Sequence, residues 1–173
     1  MAHQCYNYVL DDTMLLSDAA TGSTTGSIFG SVGGQPRVLD LGVQAPGFNN
    51  ASNPPAPYSE FDVVFDWTGC EVGTGDEVYY IAIDGSTTSN FATTYNLHKR
   101  VLGTTSDQPH VTPNVGRLVM HCDNAVQANG ADENTGAAFG AVYLTMRYIR
   151  ISVFVAGTVS TGLAYRAWLV PKM

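Results

Sequence analysis

The chain has 173 residues, enough for one domain with a sizeable core, and its 13% charged and 45% hydrophobic residues argue against intrinsic disorder. Its net charge of −7 is uneven, because residues 1–98 hold eleven acids and one base, Arg37, whereas residues 99–173 hold four acids and seven bases. Seven dispersed bases do not make the clustered basic surface of a nucleic-acid-binding protein, and no apolar run approaches the roughly 18 residues that span a membrane.

The first 36 residues hold too few apolar side chains to form a core, and we expect an extended N-terminal arm over residues 1–36. Residues 17–36 are rich in Gly, Ser and Thr, a composition typical of segments that cannot carry a core alone. The start of the chain also lacks the regions of a signal peptide, so we expect synthesis in the cytoplasm. The arm should anchor on a neighbouring subunit or on a larger partner surface, through Tyr6, Tyr8, Leu10, Leu15 and Leu16. Deleting residues 2–16 should leave a folded domain that binds its partner poorly.

Residues 37–173 are predicted to form one β-sandwich domain. Alternating apolar and polar side chains predict strands at 37–42, 61–67, 78–84 and 115–122. Residues 95–101 fit a helical turn as well as a strand, and DGST at 84–87 predicts a turn. The proline-rich stretch at 42–58 and residues 123–140 are predicted to be long loops, and loops of that length are usually functional or mobile.

The strongest strand pattern lies at the C-terminal end of the chain. One face of the first strand carries Ile149, Ile151, Val153 and Val155, and one face of the second carries Leu163, Tyr165, Ala167 and Leu169. Because Gly157 and Gly162 lie between them, the pattern favours an antiparallel hairpin. A loop centred on Val159 would place Arg150 opposite Trp168 and Ser152 opposite Arg166. We expect the aliphatic face to be buried, with Ile149, Ile151, Val153, Leu163, Tyr165 and Leu169 in the core.

At least eight short strands, with no convincing amphipathic helix, predict an all-β fold. The spacing of the turns is typical of a β-sandwich or barrel, and the jelly roll is the favoured form, with long loops and the N-terminal arm added to it.

The sequence offers no pattern typical of a catalytic or metal site, and we predict no catalytic residue, metal ligand or cofactor. His121 and Cys122 are neighbours in a predicted strand, so their side chains point to opposite faces and cannot readily bind one metal. Asp62 and Asp66 would lie about 13 Å apart along a strand, too far for the carboxylate pair of a glycosidase. A Ser, His and Asp set assembled in space remains open. A carbohydrate-binding surface also remains open, through the aromatic residues Tyr58, Tyr79, Tyr80, Tyr95 and Trp168.

Three stretches together resemble a known family. They are LDDTMLLSDAATGSTTGS (10–27) followed by VLDLG (38–42), YYIAIDGSTTSNFATT (79–94), and RYIRISVFVAGTVSTGLAYRAWLV (147–170). Their order and pattern are similar to those of the capsid cement, or decoration, proteins of tailed bacteriophages, the group that includes a Bordetella-phage cement protein. The main signatures are the Ser17–Asp18 pair, the VLDLG strand start and the terminal RYIR, and none of them is catalytic. The loop at 123–140 is longer than the family pattern.

The resemblance implies a jelly-roll virion protein that binds the outer surface of the major capsid protein shell and stabilises it. It also implies self-association and no enzymatic activity. From the uneven charge we expect a homo-oligomer, with a dimer favoured over a trimer. In that assembly Arg147, Arg150 and Arg166 should contact acids of the capsid protein or of a neighbouring copy, for which the chain offers Asp62, Asp66, Asp76 and Glu77. The arm should likewise reach the capsid floor or a neighbouring copy. The alternative is a carbohydrate- or receptor-binding β-sandwich of a phage tail fibre.

Overall fold

The computed structural model describes residues 10–18, 26–43, 60–71, 75–103, 115–128 and 142–172, with the backbone alone for 125–128 and 142–144. Within these ranges the regular structure consists of antiparallel strands and two single-turn 3-10 helices, at Asp12–Met14 and Leu41–Val43. The strands are β1 (Leu15–Ser17), β2 (Gly26–Phe29), β3 (Ser31–Val32), β4 (Gln35–Pro36), β5 (Leu39–Asp40), β6 (Glu60–Cys70), β7 (Val78–Ser86), β8 (Tyr95–Gly103), β9 (Gly116–Asp123), β10 (Ala125–Ala128), β11 (Val142–Thr145), β12 (Tyr148–Ala156) and β13 (Leu163–Pro171). The predicted all-β fold is confirmed.

Two larger sheets account for most of these strands. Sheet A has the order β1-β13-β6-β9, and sheet B has the order β2-β12-β7-β8, with β5 beside β2 on the same edge of β12. The pairing is nested, because β1 pairs with β13, β2 with β12, β6 with β9 and β7 with β8. Two separate ribbons, β3-β4 and β10-β11, complete the described strands.

The core lies between the inward faces of sheets A and B. The alternation in the sequence identifies these faces correctly, since Ile149, Ile151, Val153 and Leu163 have no exposed surface and Tyr165 and Leu169 have almost none. Alternate side chains of β6 and β7 complete the core, among them Phe61, Val63, Phe65, Ile81 and Ile83. Each such side chain contributes about 1.5–3 kcal/mol by burial, so these two faces supply the main stabilising term of the fold.

The predicted C-terminal hairpin is wrong, although both of its strands exist. β12 lies in sheet B and β13 in sheet A, so the loop at 157–162 carries the chain from one sheet to the other. Arg150 therefore lies opposite Asp84 of β7, and Trp168 lies opposite Val64 of β6. The physical reason is that alternation fixes which face of a strand is apolar but not which strand pairs with it. The apolar faces of the two strands can be buried side by side in one sheet or facing each other in two sheets.

The predicted N-terminal arm is also wrong for residues 10–18 and 26–36. β1 and β2 are edge strands of the two sheets, and Leu16 has no exposed surface. A segment with few apolar residues can still fold in this way, because each short strand adds to a sheet whose core the other strands supply. The only base of the N-terminal half holds β1 in place, since Arg37 donates hydrogen bonds to the carbonyl oxygens of Leu15 at 3.2 Å and Thr13 at 2.9 Å.

Gly30 marks the point where the chain passes from β2 towards β3 beneath β1. A Cβ atom at this position would lie 2.5 Å from the Leu16 carbonyl oxygen and 2.5 Å from Ile151 Cγ2. Only glycine allows so close an approach, and its N–H donates a hydrogen bond to the Ile151 carbonyl at 2.9 Å. The next two glycines, Gly33 and Gly34, have φ of 59° and 76° and form the tight turn between β3 and β4.

Several predicted boundaries move. Residues 95–101 belong to β8 rather than to a helical turn, and the turn predicted at 84–87 comes later because β7 continues to Ser86. The loop predicted at 123–140 starts with a strand, β10, which pairs with β11. Its remainder, 129–140, lies outside the described residues. So do residues 44–58 of the proline-rich loop predicted at 42–58, whose first two residues belong to the 3-10 helix Leu41–Val43.

Candidate functional site

The outer face of sheet B carries a groove of about 620 Å³, which is the candidate site. It is built from outward-pointing positions of three neighbouring strands, because side chains alternate between the two faces of a sheet. The lining residues are Tyr80 and Ala82 of β7, Asn96 and Lys99 of β8, and Ser152 and Phe154 of β12. We call this feature the sheet B groove.

Small side chains form the floor of the sheet B groove, and aromatic side chains form one wall. Ala82 and Ser152 lie opposite each other in the pairing of β7 with β12. Tyr80 and Phe154 are the next outward pair, and their ring centroids are 5.9 Å apart at an interplanar angle of 53°. Phe154 is 46% exposed, which is unusual for so large an apolar side chain in the middle of a sheet. The groove therefore offers apolar contact area to solvent.

A cation lies beside this wall. Lys99 is opposite Ala82 in the pairing of β7 with β8, and its Nζ atom is 5.1 Å from the centroid of the Tyr80 ring. That distance is within the range of a cation–π interaction, which holds the ammonium group over the ring and close to the groove.

A buried carboxylate fixes the polar side chains of the sheet B groove. Asp84 accepts hydrogen bonds from Ser152 Oγ at 3.0 Å and from Asn96 Nδ2 at 3.4 Å. Arg150 Nε lies 3.5 Å from Asp84 Oδ2, within ion-pair distance but without a hydrogen bond from that nitrogen. Asp84 is only 8% exposed, so its charge is held in a weakly solvated position by these partners. The network orients Ser152 and Asn96 before any ligand arrives.

Arg150 is itself held between two aromatic rings. Its guanidinium carbon lies 4.1 Å from the Phe29 ring centroid and 4.1 Å from that of Phe91. Phe91 reaches this position from the loop between β7 and β8 with a positive φ of 52°, which costs an L-residue about 1–2 kcal/mol. Backbone strain of this kind is retained where surrounding contacts enforce it, often at functional positions. The stack fixes Arg150, and Arg150 in turn borders the Asp84 network.

The outer face of sheet A is dominated by charge pairs within the chain. Arg117 forms a two-point salt bridge with Asp66, with both N–O distances at 2.6 Å. His121 Nδ1 lies 2.6 Å from Asp62 Oδ1 two outward rows further along. Between these rows the outward side chains are apolar, and Val119 is 39% exposed.

The three arginines predicted as contact residues do not form one patch. Arg150 is on the outer face of sheet B, whereas Arg166 is on sheet A with its guanidinium 5.8 Å from the Trp168 ring. Arg147 precedes β12 and forms a two-point salt bridge with Asp40, at 2.7 and 2.8 Å. The Arg147 guanidinium lowers the pKa of the Asp40 carboxyl below its usual range. The scattering follows from the position of β12 and β13 in opposite sheets.

The remaining predicted contact residues differ in their accessibility. Leu16 is fully buried and Leu15 almost fully, so neither has surface for a partner in this structure. Tyr6 and Tyr8 lie outside the described residues. The acids proposed as partners also have contacts within the chain, since Asp76 accepts hydrogen bonds from Thr158 N at 3.0 Å and Oγ1 at 2.9 Å. Glu77 has no exposed surface. Contact of the arginines with a neighbour stays a prediction.

Sequence reasoning missed four residues of the sheet B groove: Ala82, Asn96, Lys99 and Phe154. The alternation of Tyr80, Ala82 and Asp84 on the outward side of β7 was a usable signal, because it predicts that these three share one face. The pairing of that face with β8 and β12 was not accessible, since it depends on which strands are neighbours.

Reactive groups elsewhere in the described ranges are buried or paired. Burial raises the pKa of the Cys70 thiol to about 11 and that of Cys122 to about 12, so both remain protonated and poor nucleophiles at neutral pH. Burial lowers the pKa of His98. No three His, Cys, Asp or Glu side chains converge as a metal site requires within the described residues. Over the same residues, no helix has the length and apolarity needed to cross a membrane.

Two comparisons of the sequence with known proteins do not assign the chain to a family. A scan against protein-family models found no match to the chain, and a search of curated proteins found no significant match either.

Proposed function

We propose that the chain is a structural virion protein that cements the capsid of a tailed bacteriophage, binding the outer surface of its major capsid protein shell as a homo-oligomer. The observation that carries this proposal is the sheet B groove, an exposed aromatic and cationic surface on a rigid sheet. The similarity of three stretches to cement proteins, given above, supplies the identity of the partner. A dimer remains the favoured oligomer, and the location is the outside of the capsid.

The proposal includes a jelly-roll fold. Eight strands pair as first with last, second with seventh, third with sixth and fourth with fifth, if the short ribbons and β5 are set aside. That order is what results when one long antiparallel hairpin is rolled into two facing sheets. Jelly rolls occur in viral capsid proteins and in lectins, so the fold agrees with the proposal without selecting it.

A binding role, rather than an enzymatic one, fits the use of the titratable groups. On sheet A, Asp66 and Asp62 are each paired with a base of the adjacent strand, which ties β6 to β9. On sheet B, Asp84 of β7 accepts hydrogen bonds from both neighbouring strands, β8 and β12, and so ties three strands together. These carboxylates hold the scaffold, and the groove beside Asp84 exposes aromatic and cationic side chains.

Copy number in purified particles tests the proposed function directly. Quantitative mass spectrometry of the virion should give this chain in numbers close to those of the major capsid protein. Purified protein should also bind, and stabilise against heat, shells assembled from that capsid protein alone. A chain that is absent from particles, or present in only a few copies, would contradict the proposal.

A carbohydrate-binding tail-fibre domain is the second candidate, and the sheet B groove is again the observation that favours it. Tyr80 and Phe154 could contact a sugar ring while Asn96 and Lys99 bind its hydroxyl groups. Of the aromatic residues that suggested such a surface, Tyr79 and Trp168 are buried, Tyr95 is half-buried and Tyr58 lies outside the described residues. Binding to a glycan array together with a low copy number per particle would support this candidate over the first.

A further inference from the structure

We propose that the sheet B groove is a docking site for a protein segment that places an apolar side chain against Tyr80 and Phe154 and a carboxylate against Lys99. The inference rests on the proposed function, which makes the major capsid protein the source of that segment. It adds the location of the contact and the chemistry of the bound residues.

The charge at the groove selects an anionic group. Lys99 has no carboxylate within ion-pair distance in the described ranges, and its contact there is the Tyr80 ring. Asp84, the acid of β7 on the same face, is occupied by Ser152, Asn96 and Arg150. An accessible cation on a chain whose net charge is −7 is therefore complementary to a carboxylate of a partner.

The apolar part of the groove favours an apolar side chain of the partner rather than a second charged group. Phe154 is nearly half exposed, and its ring and that of Tyr80 stand at 53° to each other, so they form a notch and not a flat platform. An aliphatic or aromatic side chain can contact both walls of a notch, whereas a sugar ring stacks on one aromatic face at a time. The small floor residues Ala82 and Ser152 allow a partner backbone to approach the sheet closely.

The backbone that forms the groove floor is already ordered in sheet B, which lowers the entropic cost of docking. Its floor belongs to central strands of sheet B, each paired on both sides. Arg150, locked between Phe29 and Phe91, closes the end of the groove formed by the Asp84 network. The strained φ of Phe91 is then the conformational energy spent to hold Arg150 at this end of the groove.

The test uses the full chain and shells assembled from the major capsid protein of the same phage. Lys99→Glu reverses the charge at the groove, and Ala82→Gln fills its floor without changing charge. Each should weaken binding to the shells about tenfold or more, because the first opposes a like charge and the second removes the space for the partner side chain. Circular dichroism and melting temperature establish that each variant is folded.

Two matched controls share the chemistry of these changes but lie off the groove. Arg100→Glu makes the same charge reversal on the adjacent exposed residue, which points to the opposite face of β8. Val119→Gln changes an exposed residue on the outer face of sheet A. Both should bind shells as the wild type does. In decorated shells, carbodiimide coupling followed by mass spectrometry should join Lys99 to an Asp or Glu of the capsid protein.

The outcomes separate the inference from the proposed function. If the wild type does not bind shells, both the cement function and the groove inference are wrong. If the wild type binds and both groove variants bind equally well, the groove inference falls and the cement function stands. Coupling of Lys99 only to a second copy of this chain, or binding of a sugar in the groove, would likewise overturn the inference.

Discussion

Phe91 combines a backbone conformation that costs energy with a side chain that is almost completely buried, at 8% exposure. Its N–H donates a hydrogen bond to the Thr88 carbonyl at 3.1 Å, which closes the turn that carries it. At this position the side chain and the backbone have opposite effects on stability. The ring stabilises by packing on Arg150, and the positive φ destabilises.

Substitutions at Phe91 can separate the two effects. Phe91→Ala and Phe91→Gly both lose the ring and should both be less stable than the wild type. The glycine variant should be about 1 kcal/mol more stable than the alanine variant, because glycine adopts positive φ without strain. At the neighbouring residue the order should reverse, so that Ala92→Gly is destabilising. Chemical denaturation of the variants measures the differences, and an alanine variant equal to the glycine variant would mean that φ is not strained.

Ile151 is the residue at which core packing can best be measured. It has no exposed surface, lies in the middle of β12 and packs beside Gly30. Ile151→Ala should reduce the free energy of unfolding by about 2–4 kcal/mol, because it removes buried methylene groups and leaves a cavity. Val119→Ala, at a 39% exposed position, should change it by less than about 0.5 kcal/mol. Equal effects in the two variants would show that the inward face of β12 has been identified incorrectly.

At the scale of elements, two carboxylates hold the loop between β12 and β13: Asp76 binds its start at Thr158, and Glu71 binds its second half. Glu71, just after β6, accepts hydrogen bonds from the backbone N–H groups of Ser160, Thr161 and Gly162 and from two of their hydroxyls. These hydrogen bonds lower the pKa of Glu71 from its ordinary 4.5 to about 2, with the Ser160 hydroxyl as the largest cause. The chain crosses between sheets at this loop, so the carboxylate fixes the geometry of the crossing.

The lowered pKa of Glu71 predicts a sensitivity to acid. A carboxyl whose pKa is lower in the folded state stabilises that state fully above its unfolded value and loses the effect as pH falls. The stabilisation by Glu71 should therefore be present above about pH 4.5 and disappear between there and about pH 2. Glu71→Gln should lower the melting temperature at pH 7 and differ progressively less from the wild type as the pH approaches 2.

Hydrogen exchange localises this effect to the loop. In Glu71→Gln the amides of Ser160, Thr161 and Gly162 should exchange faster at neutral pH than in the wild type. Glu60→Gln removes a carboxyl from the other end of β6 and should leave those amides unchanged. Unaltered exchange of the three amides in Glu71→Gln would show that the carboxylate does not hold the loop.

At the scale of the whole molecule, the sequence predicts well which face of a strand is buried and predicts poorly which strands pair with each other. The alternation in 149–155 identifies the buried side chains, because burial depends on a period that is local in the chain. It cannot distinguish a hairpin from a crossing between sheets, since Arg150 points outward in both cases. The sheet B groove draws on β7, β8 and β12, and the pairing of β7 with β12 joins Ala82 to Ser152, seventy positions away. Only the global strand order brings Ser152 next to Ala82.

The N-terminal segment was mispredicted for a related reason, namely that composition measures what a segment can bury alone. Leu15 and Leu16 are too few to form a core, but as part of an edge strand they cover a core that β13 and β12 already provide. Asp12 also accepts a hydrogen bond from Trp168 Nε1 at 3.5 Å, so the turn before β1 contacts β13 as well. The segment thus belongs to the fold as an edge that protects sheet A.

Deleting residues 2–16 should therefore destabilise the whole domain, contrary to the folded domain that composition suggests. The deletion removes Leu15, Leu16 and Met14, each worth about 1.5–3 kcal/mol by burial, from a domain whose total stability is of order 5–15 kcal/mol. It also removes the carbonyl groups that Arg37 binds and exposes the edge of β13, which favours aggregation. The truncated chain should melt at a much lower temperature than the wild type and should not remain monodisperse in light scattering.

Asp12→Asn keeps the strand and should melt within a few degrees of the wild type. A truncated chain with unchanged melting temperature would mean that β1 contributes nothing to the stability of the sandwich, and the segment would then again be available as an arm for a neighbouring subunit.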